Sequence, residues 1–344
     1  MNKISSYIIQ ALVLINLLAS CKDSASMTWV VSTLAGRTQG YQDGIGTEAQ
    51  FSLPTGVAVD TSGNVYVADH ANHRIRKITP AGKVSTLAGD GSTTEFNYPY
   101  GVAVDSSDNI YVADLGNHRI RKITEAEGVN TLAGSGTRGY KVGLGSAAQF
   151  NSPAGVAVDS RGNVYVADQN NHRIRKITEV EGAQFFAGSS TEGFANGASS
   201  TAQFSSPYGV AVDTSGNVYV ADHSNHRIRK ITPAGEVSTF AGTDDAGHRD
   251  GAGSMAQFDS PTGVAVDISG NVYVADYSNH CIRKITPGGE VSTIAGSDDA
   301  GHRDGVGSMA QFDSPTGVAV DTSGNLYVAD QSNHRIRKIE YKVP

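Results

Sequence analysis

Cysteine is almost absent from this chain, which has two, Cys21 and Cys281, among 344 residues. A framework of disulfide bonds therefore cannot hold its fold together. Tryptophan occurs once, and no segment carries a block of basic residues. The formal net charge is −7, whereas a protein that binds phosphate backbones usually shows a basic stripe or patch. Nucleic acid is therefore not an expected partner.

Common catalytic motifs are missing as well. Neither Gly-x-Ser-x-Gly nor His-Glu-x-x-His occurs, so two frequent hydrolase sites have no counterpart here. What the chain has in abundance is glycine, with 40 residues, beside a hydrophobic fraction of 39%. This composition suits a compact protein of many short elements joined by tight turns.

The N-terminal residues predict an export signal. Lys3 gives a positively charged start, and residues 7–18 are largely apolar, a run too short to span a bilayer but suited to a signal-peptide core. The run ends in Leu18-Ala19-Ser20-Cys21, which resembles the lipobox of bacterial lipoproteins. We therefore expect residues 1–20 to be a lipoprotein signal peptide.

Cleavage at this site would make Cys21 the acylated first residue of the mature protein, followed by a short linker over residues 21–28. Several acyl chains on one residue give stable anchoring. The expected location is the bacterial cell envelope, with the protein tethered to a membrane on the periplasmic side or at the cell surface. The alternative is an ordinary cleavage site that a cysteine follows by chance.

A six-fold internal repeat dominates the remaining sequence. Gly-Val-Ala-Val-Asp begins at Gly56, Gly101, Gly155, Gly209, Gly263 and Gly317. The first two copies are 45 residues apart and the later ones 54. Fixed periods of this length mark stacked supersecondary units, with four strands each in propeller blades.

Residues 54–89 show the order of elements within one copy. Apolar runs separated by turn residues predict strands over 56–60, 65–68, 73–78 and 84–87. Gly63 stands in the first turn at a position that favours positive φ, which Asp108 takes in the second copy. Residues 65–68 are apolar throughout, so we expect both faces of this strand to be covered by neighbouring blades.

The stretch Asp-x-x-Gly-Asn-Val-Tyr-Val-Ala-Asp-x-x-Asn-His-Arg-Ile resembles the NHL repeat, named for its Asn-His and the apolar residue that follows. It recurs at Asn72-His73, Asn117-His118, Asn171-His172, Asn225-His226, Asn279-His280 and Asn333-His334. Cys281 stands where the other five copies have Arg. The resemblance implies an all-β fold over residues 29–344, a six-bladed β-propeller of four-stranded antiparallel blades.

Closure of the ring is also predicted. The sixth copy lacks its fourth strand, and residues 30–36 repeat the sequence of that strand in the first copy. We expect this N-terminal strand to complete the last blade, which removes the open edges of a linear array.

One face of such a propeller carries the Asp-x-x-Asn-His turns and the long connections between blades. The repeated Asp69, Asn72 and His73, with their copies, are interpreted as turn residues of the fold, although a ring of metal ligands is the alternative. The repeated Arg-Ile-Arg-Lys is interpreted as a solvated surface whose charges are paired locally.

Positions that differ between copies are candidates for ligand binding. Two such positions in each blade lie near the mouth of the central channel, where Tyr offers an apolar body with a polar tip. The candidates are His70, Tyr100, Gln169, Tyr208, His223, Tyr277 and Gln331. Neutral variation at exposed loop positions is the alternative explanation.

The connections before the fifth and sixth blades offer a possible metal site. They carry Asp244, Asp245, His248 and Asp250, and their twins Asp298, Asp299, His302 and Asp304. Such ligands could hold Ca²⁺ or Zn²⁺, but the spacing matches no known loop. No metal or other cofactor is therefore expected, and this site stays the weaker alternative.

The second copy lacks nine residues of its connection, so residues 89–99 form a short loop that predicts a notch in the face beside Tyr100. Together these features favour a non-catalytic binding or scaffold module for a protein, peptide or glycan of the envelope or extracellular space. The alternative is a metal-dependent lyase- or lactonase-like enzyme with its site at the channel mouth, for example one built on His70 and His223.

Overall fold

In the computed structural model, which describes residues 26–344, six antiparallel sheets surround a central axis as the blades of a propeller. Each blade has four main strands and begins at the axis with one copy of Gly-Val-Ala-Val. The predicted six-bladed, all-β propeller is confirmed. The predicted signal peptide, Cys21 and most of the linker lie outside the described residues.

The four main strands of each blade lie side by side from the axis to the rim. In that order, blade 1 has Pro54–Val59, Val65–Asp69, Arg74–Ile78 and Lys83–Ala88, and blade 2 has Pro99–Val104, Ile110–Asp114, Arg119–Thr124 and Gly128–Ala133. Blade 3 has Pro153–Val158, Val164–Asp168, Arg173–Thr178 and Gly182–Ala187, and blade 4 has Pro207–Val212, Val218–Asp222, Arg227–Ile231 and Glu236–Ala241. Blade 5 has Pro261–Val266, Val272–Asp276, Cys281–Ile285 and Glu290–Gly296, and blade 6 has Pro315–Val320, Leu326–Asp330, Arg335–Lys342 and Thr28–Ala35.

Short elements complete the blades. Two-residue edge strands extend blades 1, 4, 5 and 6, and they are Gly44–Ile45, Gly197–Ala198, Gly251–Ala252 and Gly305–Val306. Single turns of 3₁₀ helix link the second and third strands at His70–Asn72, Leu115–Asn117, Gln169–Asn171, His223–Asn225, Tyr277–Asn279 and Gln331–Asn333. Three more lie in the connections at Gly46–Glu48, Gly145–Ala147 and Gly307–Met309. Across residues 26–344, every helix is too short and too polar to span a bilayer.

The N-terminal strand closes the ring. Thr28–Ala35 pairs antiparallel with Arg335–Lys342, placing Val31 opposite Ile339. Val31 is buried against both blade 5 and blade 6. The predicted closure is confirmed, since the fourth main strand of the last blade is the N-terminal strand Thr28–Ala35.

The core lies between the blades and not within any one of them. Every residue of the second strand, such as Val65–Asp69, is buried, because the next blade covers one face and the preceding blade the other. The hydrophobic clusters accordingly join residues of neighbouring blades. The turn after the innermost strand also follows the prediction, with φ of 80° at Gly63 and 60° at Asp108.

The second arginine of Arg-Ile-Arg-Lys contradicts the sequence-based interpretation of a solvated surface. Arg76 is fully buried, and its Nη1 lies 2.7 Å from Oδ2 of Asp69, which is also fully buried. Asp69 further accepts hydrogen bonds from the Ser52 backbone N–H and from the Asn72 side chain. The same ion pair recurs in the other five blades as Asp114–Arg121, Asp168–Arg175, Asp222–Arg229, Asp276–Arg283 and Asp330–Arg337.

We predict that Arg229→Met lowers the free energy of unfolding by about 3–5 kcal/mol, because it leaves the Asp222 carboxyl buried without its cation. The neighbouring Lys230→Met, on the partly exposed face of the same strand, should change it by less than about 1 kcal/mol. Chemical denaturation of both variants measures the difference. Equal stability of the two would show that the buried pair contributes nothing.

Candidate functional site

The channel mouth lies where the six innermost strands begin, on the face that carries the long connections. The six repeated glycines approach one another closely there. A Cβ added at Gly101 would lie 2.5 Å from the Ala154 carbonyl oxygen, so the channel narrows to a space of about 50 Å³. The mouth is therefore a depression on the loop-rich face and not the entrance to a wide pore.

The residue before each of these glycines distinguishes one side of the mouth from the other. In blades 1, 5 and 6 it is a threonine whose hydroxyl donates to a carbonyl of the next blade: Thr262 to Thr316 O at 3.0 Å, Thr316 to Thr55 O at 3.1 Å and Thr55 to Tyr100 O at 2.9 Å. Blades 2 and 4 have Tyr100 and Tyr208 instead. On the side of Tyr100 and Tyr208, the residue at this position does not make the threonine bond between blades, so its side chain is available to contact a ligand.

A chain of aromatic rings runs along that side. The rings of Tyr100 and Tyr208 have centroids 5.5 Å apart, His70 lies 5.9 Å from Tyr100, and His223 lies 4.6 Å from Tyr208. Tyr98, which is half exposed, stacks on His70 at 5.0 Å. Four predicted site residues therefore come together, and the structure adds Tyr98.

Tyr98 was missed because it precedes a proline that belongs to the fold. In four other copies this position is Ser, and all six residues there have positive φ, including 51° at Tyr98. The signal in the sequence was this replacement of a small turn residue by an aromatic one.

The two site histidines have a defined tautomer. His70 Nδ1 lies 3.1 Å from the carbonyl oxygen of Pro99, and His223 Nδ1 lies 3.3 Å from that of Pro261. Since a carbonyl can only accept, Nδ1 carries the proton and Nε2 keeps a lone pair for a ligand. Burial lowers the pKa of both imidazoles, so both rings are neutral at neutral pH.

The tyrosine hydroxyls are neutral donors. Burial raises the pKa of Tyr100 well above its ordinary value, and the nearby Tyr208 and Tyr277 add to the shift. Burial also raises the pKa of Tyr208, against the opposing effect of the Gln169 side chain. Tyr277 and Gln169 therefore lie beside the aromatic chain. Gln331 occupies the corresponding turn of blade 6 and is half-buried.

The six repeated histidines serve the fold. His73 Nδ1 accepts a hydrogen bond of 3.1 Å from the Tyr98 backbone N–H of the following blade. The other five copies do the same at Leu53, Ser152, Ser206, Ser260 and Ser314. Asn72 likewise donates to Asp69 and to the Gly40 carbonyl. The interpretation of these residues as turn residues of the fold is confirmed, and the structure adds that the imidazoles link each blade to the next.

The candidate metal ligands in the connections before blades 5 and 6 contact different partners and do not form one cluster. Asp250 and Asp304 pair with the buried Arg283 and Arg337, and Asp244 lies 3.6 Å from Arg227. His248 hydrogen-bonds Asp298, while the remaining candidates Asp245, Asp299 and His302 are exposed. Over residues 26–344, no three carboxylate, imidazole or thiol groups converge as metal ligands.

The shortened connection of blade 2 uncovers a surface farther from the axis than Tyr100. Blade 2 has no edge strand, and Val129 on its outermost strand is half-buried where the corresponding Val84 of blade 1 is buried. Leu87 on the facing side of blade 1 is 37% exposed. The notch therefore opens at the rim, while Tyr100 belongs to the mouth.

Comparison with known families matches the six copies individually. The model of the NHL repeat fits residues 51–78, 96–123, 150–177, 204–231, 258–285 and 312–339. The chain belongs to the NHL-repeat family. Each match runs from the buried Phe of the connection to the last isoleucine of the third strand, so it contains the ion pair and the Asn-His turn.

Relatives of this NHL-repeat chain are larger proteins. The protein SUPPRESSOR OF QUENCHING 1 of Arabidopsis thaliana is 32% identical over 321 residues, which cover 88% of this chain and 26% of that protein. NHL repeat-containing protein 2 of Bos taurus is 32% identical over 329 residues, covering 90% of this chain and 42% of the relative. This chain thus spans less than half the length of either.

Solved structures share the fold. A protein of unknown function from Bacteroides thetaiotaomicron has a TM-score of 0.73 at 24% identity, and an auxiliary nutrient binding protein of the same organism 0.71 at 18%, each over 92% of this chain and 77% of the other. A gluconolactonase of Xanthomonas campestris has 0.62 at 14%, over 91% of this chain and 89% of the other. At these identities the likeness shows the propeller fold alone.

We predict that acid weakens the fold through the two site histidines. Their pKa values are lower in the folded protein than in the unfolded chain, so their contribution is complete above the ordinary value of about 6.5 and is lost as the pH falls below it. Between pH 7.5 and 5 the melting temperature of the wild-type protein should therefore fall further, or rise less, than that of a variant with His70→Gln and His223→Gln, because glutamine does not titrate. The comparison isolates the histidines, since burial raises the pKa of Asp168 and Asp276 to about 6 and these carboxyls act in the opposite direction. An unchanged slope would mean that these imidazoles are not shielded from protonation.

Proposed function

We propose that this protein is an exported, lipid-anchored NHL-repeat propeller that acts as a non-catalytic binding module, with its ligand at the channel mouth. The observation that supports this most is the chain of rings formed by His70, Tyr98, Tyr100, Tyr208 and His223. It replaces the threonines that link neighbouring blades on the other side of the mouth, so the fold itself does not require it.

The chemistry of the mouth favours an uncharged ligand with both apolar and polar surfaces. Aromatic faces supply contact area, while the tyrosine hydroxyls, the imidazole Nε2 atoms and Gln169 supply hydrogen-bonding groups. The charged side chains of the repeat lie elsewhere, in the ion pairs between strands and connections. A peptide, a glycan or the surface of a protein from the envelope or the extracellular space fits these groups.

The name of the Bacteroides protein with the same fold, auxiliary nutrient binding protein, agrees with a binding role for a propeller of this shape. The catalytic alternative would need unequal titrating groups converging on a substrate. His70 and His223 instead contact different tyrosines, and both donate through Nδ1 to backbone carbonyls.

The double variant Tyr100→Ala and Tyr208→Ala tests the site. We expect soluble envelope glycans and peptides to include a ligand of the intact protein, and calorimetry should show at least about tenfold weaker binding by the double variant. The matched control is Ile268→Ala, which removes an exposed side chain from the turn face and should leave affinity unchanged. Equal affinity of all three proteins would place the ligand elsewhere.

The anchor needs a separate test, because it rests on the sequence around Cys21. Cells that express the full chain should incorporate labelled palmitate into it, and the protein should sediment with membranes. Cys21→Ala should abolish the label and release the protein into the soluble fraction. The matched control Cys281→Ala changes a buried cysteine of blade 5 and should retain both properties. Labelling of Cys21→Ala would contradict the proposed lipoprotein.

A further inference from the structure

The buried arginine of each third strand has a second partner, contributed by the connection that leads into the blade. In blade 5, Nη2 of Arg283 donates to Oδ1 of Asp250 at 2.6 Å and to the Arg249 carbonyl at 2.8 Å. The backbone N–H and the hydroxyl of Thr293 donate to the same carboxylate at 2.9 and 3.1 Å. Arginine and threonine together form a cradle for one carboxylate.

This arrangement recurs in two other blades. Asp43 binds Arg76 and Thr86 in blade 1, and Asp304 binds Arg337 and Thr33 in blade 6. In each case the aspartate precedes a glycine and an aliphatic residue that form the edge strand. The connection therefore inserts an Asp-Gly-aliphatic segment along the outermost strand of the blade.

Blade 2 has the cradle but lacks the segment. Blade 1 has residues 41–49 between the carbonyls of Gly40 and Gln50, which accept from Asn72 and Arg76. At the equivalent place blade 2 has Thr94 alone, between the carbonyls of Thr93 and Glu95, which accept from Asn117 and Arg121. The missing residues are those that would supply the aspartate, the edge strand and the helical turn.

In blade 2, the arginine of the cradle keeps an N–H donor without an acceptor in the part of the chain that the structure describes. Arg121 pairs through Nη1 with Asp114 at 3.2 Å, and within residues 26–344 no group accepts from its Nη2. Its exposure is 8%, compared with 0–1% for the five equivalent arginines. Arg175 of blade 3 also lacks a carboxylate at this place, yet its connection covers it and the Lys141 carbonyl accepts from its Nη2. The exposure in blade 2 therefore results from the missing segment.

Thr131 and the strand edge complete the surface. Thr131 pairs with Arg121 across the sheet as Thr86 pairs with Arg76, and it is exposed. Val129 corresponds to Val84, with which the edge strand of blade 1 pairs. Ala88 of blade 1 packs against the same hydrophobic cluster as Val129 and contributes an apolar contact from that side. The slot thus combines a carboxylate cradle, an unpaired strand edge and apolar contacts.

We propose that this rim slot of blade 2 binds an extended segment of a partner protein that carries Asp-Gly followed by an aliphatic residue. The partner's aspartate occupies the cradle of Arg121 and Thr131, and its backbone pairs beside Val129 as an added edge strand. The chain itself supplies the template for this occupant, since three of its own connections bind the same way in cis. The slot lies away from the channel mouth, so it does not depend on a ligand there.

A labelled peptide with the sequence of residues 40–49 is the probe, and fluorescence polarisation measures its binding to the intact protein. We expect saturable binding that weakens at least about tenfold when the aspartate of the peptide is replaced by alanine, because the bonds that its carboxylate accepts from Arg121 and Thr131 are lost. High salt should weaken binding as well. No saturable binding up to about 1 mM would overturn the proposal.

Two protein variants locate the site. Replacing Thr94 with residues 41–49 fills the slot in cis and should abolish peptide binding while raising the melting temperature. Thr131→Val keeps the strand but removes the hydroxyl donor and should weaken binding, whereas Thr239→Val on blade 4, whose cradle is filled by Asn196, should not. Binding that survives the graft would refute the site.

Loss of peptide binding in the double variant Tyr100→Ala and Tyr208→Ala would contradict the independence of slot and mouth.

Discussion

The structure depends on an ion pair of one carboxylate and one guanidinium in each blade, and in five of the six blades both groups are fully removed from water. An ion pair in this position is stable only when its remaining donors and acceptors are satisfied. In blade 1, Asp69 accepts from Ser52, Asn72 and Arg76, while Arg76 donates on to the connection. The second strand, the third strand and the incoming connection are thereby fixed to one another. This network therefore fixes the connections on the face that carries the channel mouth.

Repetition made the fold predictable, because six copies of one pattern give strand order, turn positions and the missing strand of the last blade. The buried arginine was not predictable in the same way. Arg-Ile-Arg-Lys alternates as a half-exposed strand does. Apart from Asp69, which is 7 residues earlier, the acceptors of its second arginine lie 26 to 34 residues earlier in the chain. A local pattern carries no information on such partners, whereas the recurring distance of 33 residues between aspartate and arginine does.

The candidate site was predictable in composition and not in geometry. Differences between copies pointed to His70, Tyr100, Tyr208 and His223, and these four lie in one chain of rings. The gap in the second connection was visible as well, but its consequence at the rim required the structure. Tyr98 was not predicted, because the variable positions that were compared lie after the second strand and directly before the repeated glycine. Differences between the repeats therefore indicated which blades carry the candidate site, whereas the contacts between its side chains depend on packing that only the structure shows.

The pairing of Thr28–Ala35 with Arg335–Lys342 also has a consequence for the order in which the molecule forms. The first strand of the propeller has its partner some three hundred residues later in the chain, so it waits for the last repeat before it can pair. Contacts of such sequence separation carry a large loop-closure cost and slow the final step. Until that step, the unclosed ring has two unpaired strand edges, and such edges are templates for pairing with another copy.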